Sequence, residues 1–161
     1  SPGGATHMGH EDRGEQRGGI ASIPVIGQMY REIREDGADI DDRRIRVSKE
    51  DTLSESLMCY SSIRWFQDAG REKTFLELVS KTQRQRGFGD FYGFVLVAEG
   101  AADLMLEHGV HEWDVAALKA IVEEAGGTFT DWKGTPTTAT PDVLATNGKL
   151  HPATLAILNR E

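Results

Sequence analysis

The stretch Val115 to Ala125 constrains this chain more than any other. Leu118, Ile121, Val122 and Ala125 recur at helical spacing as one buried stripe, and Gly126-Gly127 follows as a stop. Ahead of it, Leu104 and Leu106 point one way while Met105 and Glu107 point the other, the alternation of a strand over Ala102 to Glu107. Behind it, Thr128 to Trp132 reads as another strand. Strand, long helix and strand in succession imply a crossover connection. The class is therefore α/β, with a largely parallel sheet and helices on both faces. In such sheets ligands bind beyond the carboxyl ends of the strands.

The remaining elements agree with one such domain over 20–161. Ile20 to Val25 reads as a short strand interrupted by Pro24, continued by Met29 to Ile33. Ile45 and Val47 alternate with arginines, and Ser54 to Ser62 holds a compact apolar strand ending in the Ser61-Ser62 loop. Helical spacing spans Trp65 to about Gln83, and a second helix runs from Asp90 to Gly100. Val143 to Ala145 is a strand, and a last helix starts at Pro152. Residues 1–19 are polar and Gly-rich and read as a flexible tail or tag, with His7-Met8 as a cloning scar.

The net charge of −8 argues against broad binding to nucleic acid or to an anionic membrane. The basic runs Arg43-Arg44 and Arg84 to Arg86 are too short to reverse that and read as solvated loop or helix-end charges. No apolar run approaches the ~20 residues of a membrane span. Cys59, the sole cysteine, fits a reducing cytoplasm, and its apolar neighbours suit an inert buried thiol.

Two junctions between strand ends and helices carry the polar residues. Asp114 lies immediately before the strong helix. A carboxylate there caps orphan amide groups, or holds a hard cation such as Mg²⁺, and the two roles are compatible. Glu107, at the end of its strand, reads as a solvated charge or as an acceptor for substrate hydroxyl or ammonium groups. His108, His111 and Glu112 lack a zinc spacing. In Arg86-Gly87-Phe88-Gly89-Asp90, the glycines allow close backbone approach, Arg86 suits a phosphate or carboxylate, and Asp90 suits a cationic group.

Together these segments resemble a known family. Gly-Val-His-Glu-Trp-Asp-Val-Ala-Ala over 109–117, then Ile-Val-Glu-Glu-Ala-Gly-Gly over 121–127 and Thr-Asp-Trp over 130–132, resemble the second signature of inositol-monophosphatase-like phosphatases. Gly89-Asp90-Phe91-Tyr92-Gly93 resembles the Gly-Asp-x-Tyr-Gly pattern of the histidinol-phosphatase branch, with Arg86 matching the arginine ahead of it. The resemblance extends from about Gly19 to the C-terminus and implies the C-terminal domain of that fold, with Ser22-Ile23-Pro24 as a remnant strand of the N-terminal domain.

The resemblance further implies Mg²⁺-dependent hydrolysis of a small phosphate monoester, with L-histidinol phosphate as the leading substrate and inositol monophosphate as the alternative. It makes Asp114 a metal ligand and catalytic residue, Glu107 a ligand of substrate hydroxyl or amine, and Gly89-Asp90 part of the substrate pocket. It also implies a homodimer. The family's first signature, Asp-Pro-x-Asp-Gly-Thr with an upstream Glu, is absent. The expectation is an incomplete enzyme with little activity alone: a fragment, a split enzyme completed by a separate chain that supplies the N-terminal half, or a chain with a misjudged start. A truncated, non-catalytic assembly module is the reading from another class.

Overall fold

The computed structural model describes the backbone of residues 6–12, 15–23, 28–33, 37–40, 43–88, 91–109 and 112–160, and the side chains of 43–88, 91–109 and 115–160. The chain opens with five strands, β1 (Thr6–Asp12), β2 (Glu15–Ile23), β3 (Gln28–Ile33), β4 (Gly37–Ile40) and β5 (Arg43–Ile45). They join in that order as an antiparallel sheet. This differs from the sequence expectation of a tail through Gly19 and a single remnant strand. The difference has a physical cause: β1 and the first half of β2 are glycine-rich and polar, so no period-two apolar pattern marks them. Backbone pairing with β3 and packing of this sheet on a later helix hold them instead.

The second half builds the α/β layer. It runs β6 (Leu57–Tyr60), α1 (Ile63–Asp68), α2 (Glu72–Lys81), β7 (Arg84–Gly87), α3 (Tyr92–Ala98), β8 (Leu104–His108), α4 (Glu112–Glu124), β9 (Thr128–Thr130), β10 (Asp142–Thr146) and α5 (His151–Leu158). The sheet order is β7-β6-β8-β10-β9. β6 pairs in parallel with both β7 and β8, and β10 runs antiparallel to β8 and β9. The single helix expected over Trp65 to Gln83 is two helices, broken where Gly70 adopts φ +70°. β7 appears inside what reads as a loop; Arg-Gln-Arg-Gly has no apolar residue to announce an edge strand.

The strands distribute their side chains strictly by alternation. Cys59, Met105, Val143 and Ala145 join α3 and α4 in one core. Met58, Leu104, Leu106 and Leu144 join α1, α2 and α5 in the other. Helices thus cover both faces. α4 lies between the two sheets, because it also packs on β2 and β3. In the second core Phe66 stacks on Trp132 with centroids 5.1 Å apart, and the Trp132 Nε1–H donates to the Val143 carbonyl at 3.0 Å. Burial of such a ring contributes roughly 1.5–3 kcal/mol.

Two local devices fix α3 and α4. α3 approaches the sheet so closely that a Cβ on Gly93 would stand 2.4 Å from Met105 Sδ. α4 ends at the expected glycines: Gly126 has φ +95°, its N–H donates to Glu123 O, and Gly127 N–H donates to Val122 O at 2.8 Å. That is the double bond pattern of a Schellman stop.

The amino-terminal edge of the parallel strands is tied by one carboxylate. Asp103 accepts from Ser48 Oγ–H through Oδ1 and from Leu57 N–H through Oδ2. Asn147, just beyond β10, donates from its backbone N–H to Asp103 O and from Nδ2 to Ser48 Oγ and Glu50 O.

Candidate functional site

The parallel strands β7, β6 and β8 deliver their carboxyl ends to one edge of the sheet. Cys59 pairs with Arg86 on one side and Met105 on the other, and Tyr60 pairs with Gly87 and Leu106. The next row therefore holds Ser61 between Phe88 and Glu107, and Phe88 N–H donates to Tyr60 O at 2.9 Å. Arg86 and Glu107 lie on the strands flanking β6, two strand spacings across and two residues along, or about 12 Å apart.

Face is settled by the same pairings. Arg86 is level with Cys59, and Glu107 with Val143, both members of the core under α3 and α4. Ser61 follows Cys59 by two residues and shares that face. Arg86, Ser61 and Glu107 thus line one edge on one side of the sheet, where β7 leads into α3 and β8 into α4. Arg86 is exposed, with Nη1 donating to Gln85 O at 2.8 Å. Glu107 is only 8% exposed. Ser61 Oγ is buried and, among the described residues, has no hydrogen-bond partner. A guanidinium, a buried carboxylate and an unsatisfied hydroxyl here match a ligand that carries both an anionic group and hydroxyl or amine donors.

Of the residues singled out in the sequence, Arg86 and Glu107 are brought to one edge. Gly89 and Asp90 lie outside the described residues. Asp114 lies in the first turn of α4, although its side chain is also outside the described set. The helix begins at Glu112 rather than Val115, so Asp114 sits within the turn instead of ahead of it. Acidic residues in a first turn are favoured by the helix dipole, which explains the earlier start. Sequence reading treats Ser61 only as part of a loop. A serine pair closing an apolar run is the available signal, but its meaning depends on strand register.

His108 points to the opposite face. Its ring lies 5.5 Å from that of Trp132, and among the described residues its buried Nδ1 has no hydrogen-bond partner. Among the described residues no group of three or more His, Cys, Asp or Glu side chains converges to hold a metal ion. The described part alone therefore does not form a metal cage. Cys59 is fully buried, and burial, reinforced by Asp103 against the opposing pull of Arg86, pushes its thiol up to about 12. It is the inert thiol the sequence suggests.

With that geometry in hand, comparison with known proteins is specific. A family model described as the inositol monophosphatase family matches residues 1–161. A histidinol-phosphatase from Streptomyces coelicolor is 37% identical over 147 residues, 88% of this chain and 55% of the relative. An inositol-1-monophosphatase from Synechocystis is 31% identical over 145 residues, 82% of this chain and 50% of that protein. Among solved structures, an IMPase from Thermotoga maritima superposes with a TM-score of 0.86 at 26% identity, over 96% of this chain and 60% of that one. The chain spans about half the length of the curated relatives it matches.

Proposed function

This chain belongs to the inositol monophosphatase family, and from that premise we propose that it is the substrate-recognising half of a metal-dependent phosphomonoesterase acting on L-histidinol phosphate. The observation that carries this reading is the alignment of Arg86, Ser61 and Glu107 on one face of the carboxyl edge. Arg86 offers a fork of donors to phosphate. Glu107 accepts from the hydroxyl or ammonium of the alcohol part, and Ser61 supplies a further polar contact. On the sequence pattern, Gly89 permits close approach and Asp90 pairs with the ammonium. Asp114 is the residue of this chain that holds Mg²⁺. When bound, that ion supplies charge neutralisation at the phosphate. The other ligands come from a segment or chain carrying the family's first signature, and the complete enzyme is a homodimer.

Support for the substrate comes from the Arg86 to Gly93 pattern and from the 37% identical histidinol-phosphatase. The 31% identical inositol-1-monophosphatase supports inositol monophosphate as the second reading. The test measures kcat/KM for L-histidinol phosphate and myo-inositol 1-phosphate in an enzyme completed with the first signature. Asp90→Ser is expected to lower efficiency about ten- to a hundredfold for histidinol phosphate, because serine cannot neutralise the ammonium. Inositol phosphate should change less. A parallel loss on both substrates rejects the assignment, as does turnover of inositol phosphate alone. The isolated chain is expected to stay well below about 1 turnover per second, and Asp114→Asn to abolish whatever weak Mg²⁺ binding calorimetry detects.

A further inference from the structure

At the carboxyl edge one exposed aromatic side chain has no part in recognising phosphate or ammonium. Two of the three exposed large apolar residues among those described, Ile63 and Trp65, lie on α1, the short helix that starts where β6 ends. α1 holds a fixed position. Ser62 Oγ accepts from Arg64 N–H at 3.2 Å as its cap, and Phe66 is buried against Trp132 in the second core. Trp65, next to Phe66, is thereby carried across the end of β8. A Cβ on Gly109 would stand 3.7 Å from each of Trp65 Cε3, Cη2 and Cζ2. Three equal distances within one six-membered ring mean that the indole turns a face, not an edge, to Gly109. The opposite face is left to solvent, and Trp65 is 42% exposed. Gly109 follows Glu107 by two residues, about 7 Å along the chain.

We propose that Trp65 is a specificity-determining residue, whose exposed indole face stacks on the imidazole ring of the substrate. The proposal rests on the phosphatase reading and deepens it. Across the edge the groups run from Arg86 on β7, through Ser61 after β6, to Glu107 on β8 with Trp65 over the end of that strand. The phosphate ester of an amino alcohol with a ring at its far end carries its groups in the same order: phosphate, ammonium, ring. Laid with its phosphate at Arg86 and its ammonium at Glu107, such a molecule extends its ring toward Trp65. An indole face attracts a planar ring by offset stacking and a protonated imidazole by cation–π attraction. The same face offers no hydrogen bond to the hydroxyls of a cyclitol, because the one indole donor lies in the ring plane.

The test titrates the purified chain, without metal, with three compounds that need no turnover. They are L-histidinol, L-alaninol, which keeps the amino alcohol but lacks the ring, and myo-inositol. Binding is followed by indole and backbone N–H signals in nitrogen-15 NMR spectra of the parent, Trp65→Ala and Trp65→Phe, with melting curves for each. Loss of one indole signal in Trp65→Phe assigns Trp65. The expected result is that L-histidinol moves the Trp65 signal saturably and binds about fivefold or more tighter than L-alaninol. That advantage should vanish in Trp65→Ala and stay within about twofold in Trp65→Phe, which keeps an aromatic face. No saturable binding of L-histidinol overturns the proposal. An advantage of L-histidinol kept in Trp65→Ala overturns it while leaving the phosphatase reading intact, since that reading fails on a different measurement, turnover by the completed enzyme. An equal response to myo-inositol also overturns it. So does a Trp65 signal that moves with protein concentration and not with ligand, which would mark a contact between copies of the chain.

Discussion

His151 should make this fold sensitive to mild acid. It is 5% exposed, at the first turn of α5 with its ring against β9 and β10. Thr130 Oγ1 lies 2.8 Å from Nε2, and Thr146 Oγ1 lies 2.9 Å from Nδ1. The Thr130 hydroxyl donates to Asp131 O, so Nε2 must carry the proton and donate to Thr130. Gly148 N–H donates to Thr146 Oγ1, which leaves the Thr146 hydroxyl free to donate to an unprotonated Nδ1. The pocket is thus built for one neutral tautomer, and burial lowers the pKa from 6.5 to about 4.

The sign follows from linkage. Above pH 6.5 both states are neutral and nothing is lost. Below it the unfolded chain binds a proton that the folded chain refuses until about pH 4, so stability falls through that window. At about 1.4 kcal/mol per unit, the loss is about 2 kcal/mol by pH 5 and about 3 kcal/mol at its limit. Urea unfolding at pH 7 and pH 5 measures it in the parent and in His151→Gln. The variant is expected to be weaker at pH 7 by about 1–3 kcal/mol, from buried hydrogen bonds broken, but flatter with pH. Equal pH slopes in the two proteins, within about 0.5 kcal/mol, would refute the reasoning.

Other outcomes follow from packing. Gly93→Ala should destabilise by about 1–3 kcal/mol, since its Cβ would meet Met105 Sδ at 2.4 Å; Met105→Ala in the same chain should recover part of that in a denaturation series. Cys59 should resist thiol reagents in the native state and react at the rate of unfolding, because its thiol is buried and raised to about 12; rapid labelling without denaturant would contradict this. Asp131→Ala should cost about 1–2 kcal/mol in thermal melts, because Oδ1 accepts from both Lys133 N–H at 2.9 Å and Thr135 N–H at 2.8 Å.

What was legible in the sequence is what local periodicity records. The stripe Leu118, Ile121, Val122 and Ala125 with its glycine stop placed α4, and the alternation Leu104 to Glu107 placed β8. β7 escaped because an edge strand of Arg-Gln-Arg-Gly owes its conformation to β6 rather than to its own side chains. The break at Gly70 escaped because apolar spacing continues across it. For the site, Arg86, Glu107 and Asp114 stand out at the strand-to-helix junctions, and the resemblance supplies their expected roles. That Arg86, Ser61 and Glu107 share a face depends on the parallel register of β6, which no single segment encodes. Ile20 to Ile23, Met29 to Ile33 and Ile45 marked β2, β3 and β5, whereas β1, β4 and the start of β2 escaped because they are held by pairings between segments.

The Asp103 tie gives the central sheet two unequal ends. At one, a single carboxylate links the starts of β6 and β8 to Ser48, while its neighbouring carbonyl engages Asn147. At the other, Ser61 Oγ and His108 Nδ1 have no partners among the described residues. Local opening starts where least is broken. Amide protons at the carboxyl end of β6 and β8 should therefore exchange with solvent ahead of those beside Asp103, so that the sheet opens first from its carboxyl end.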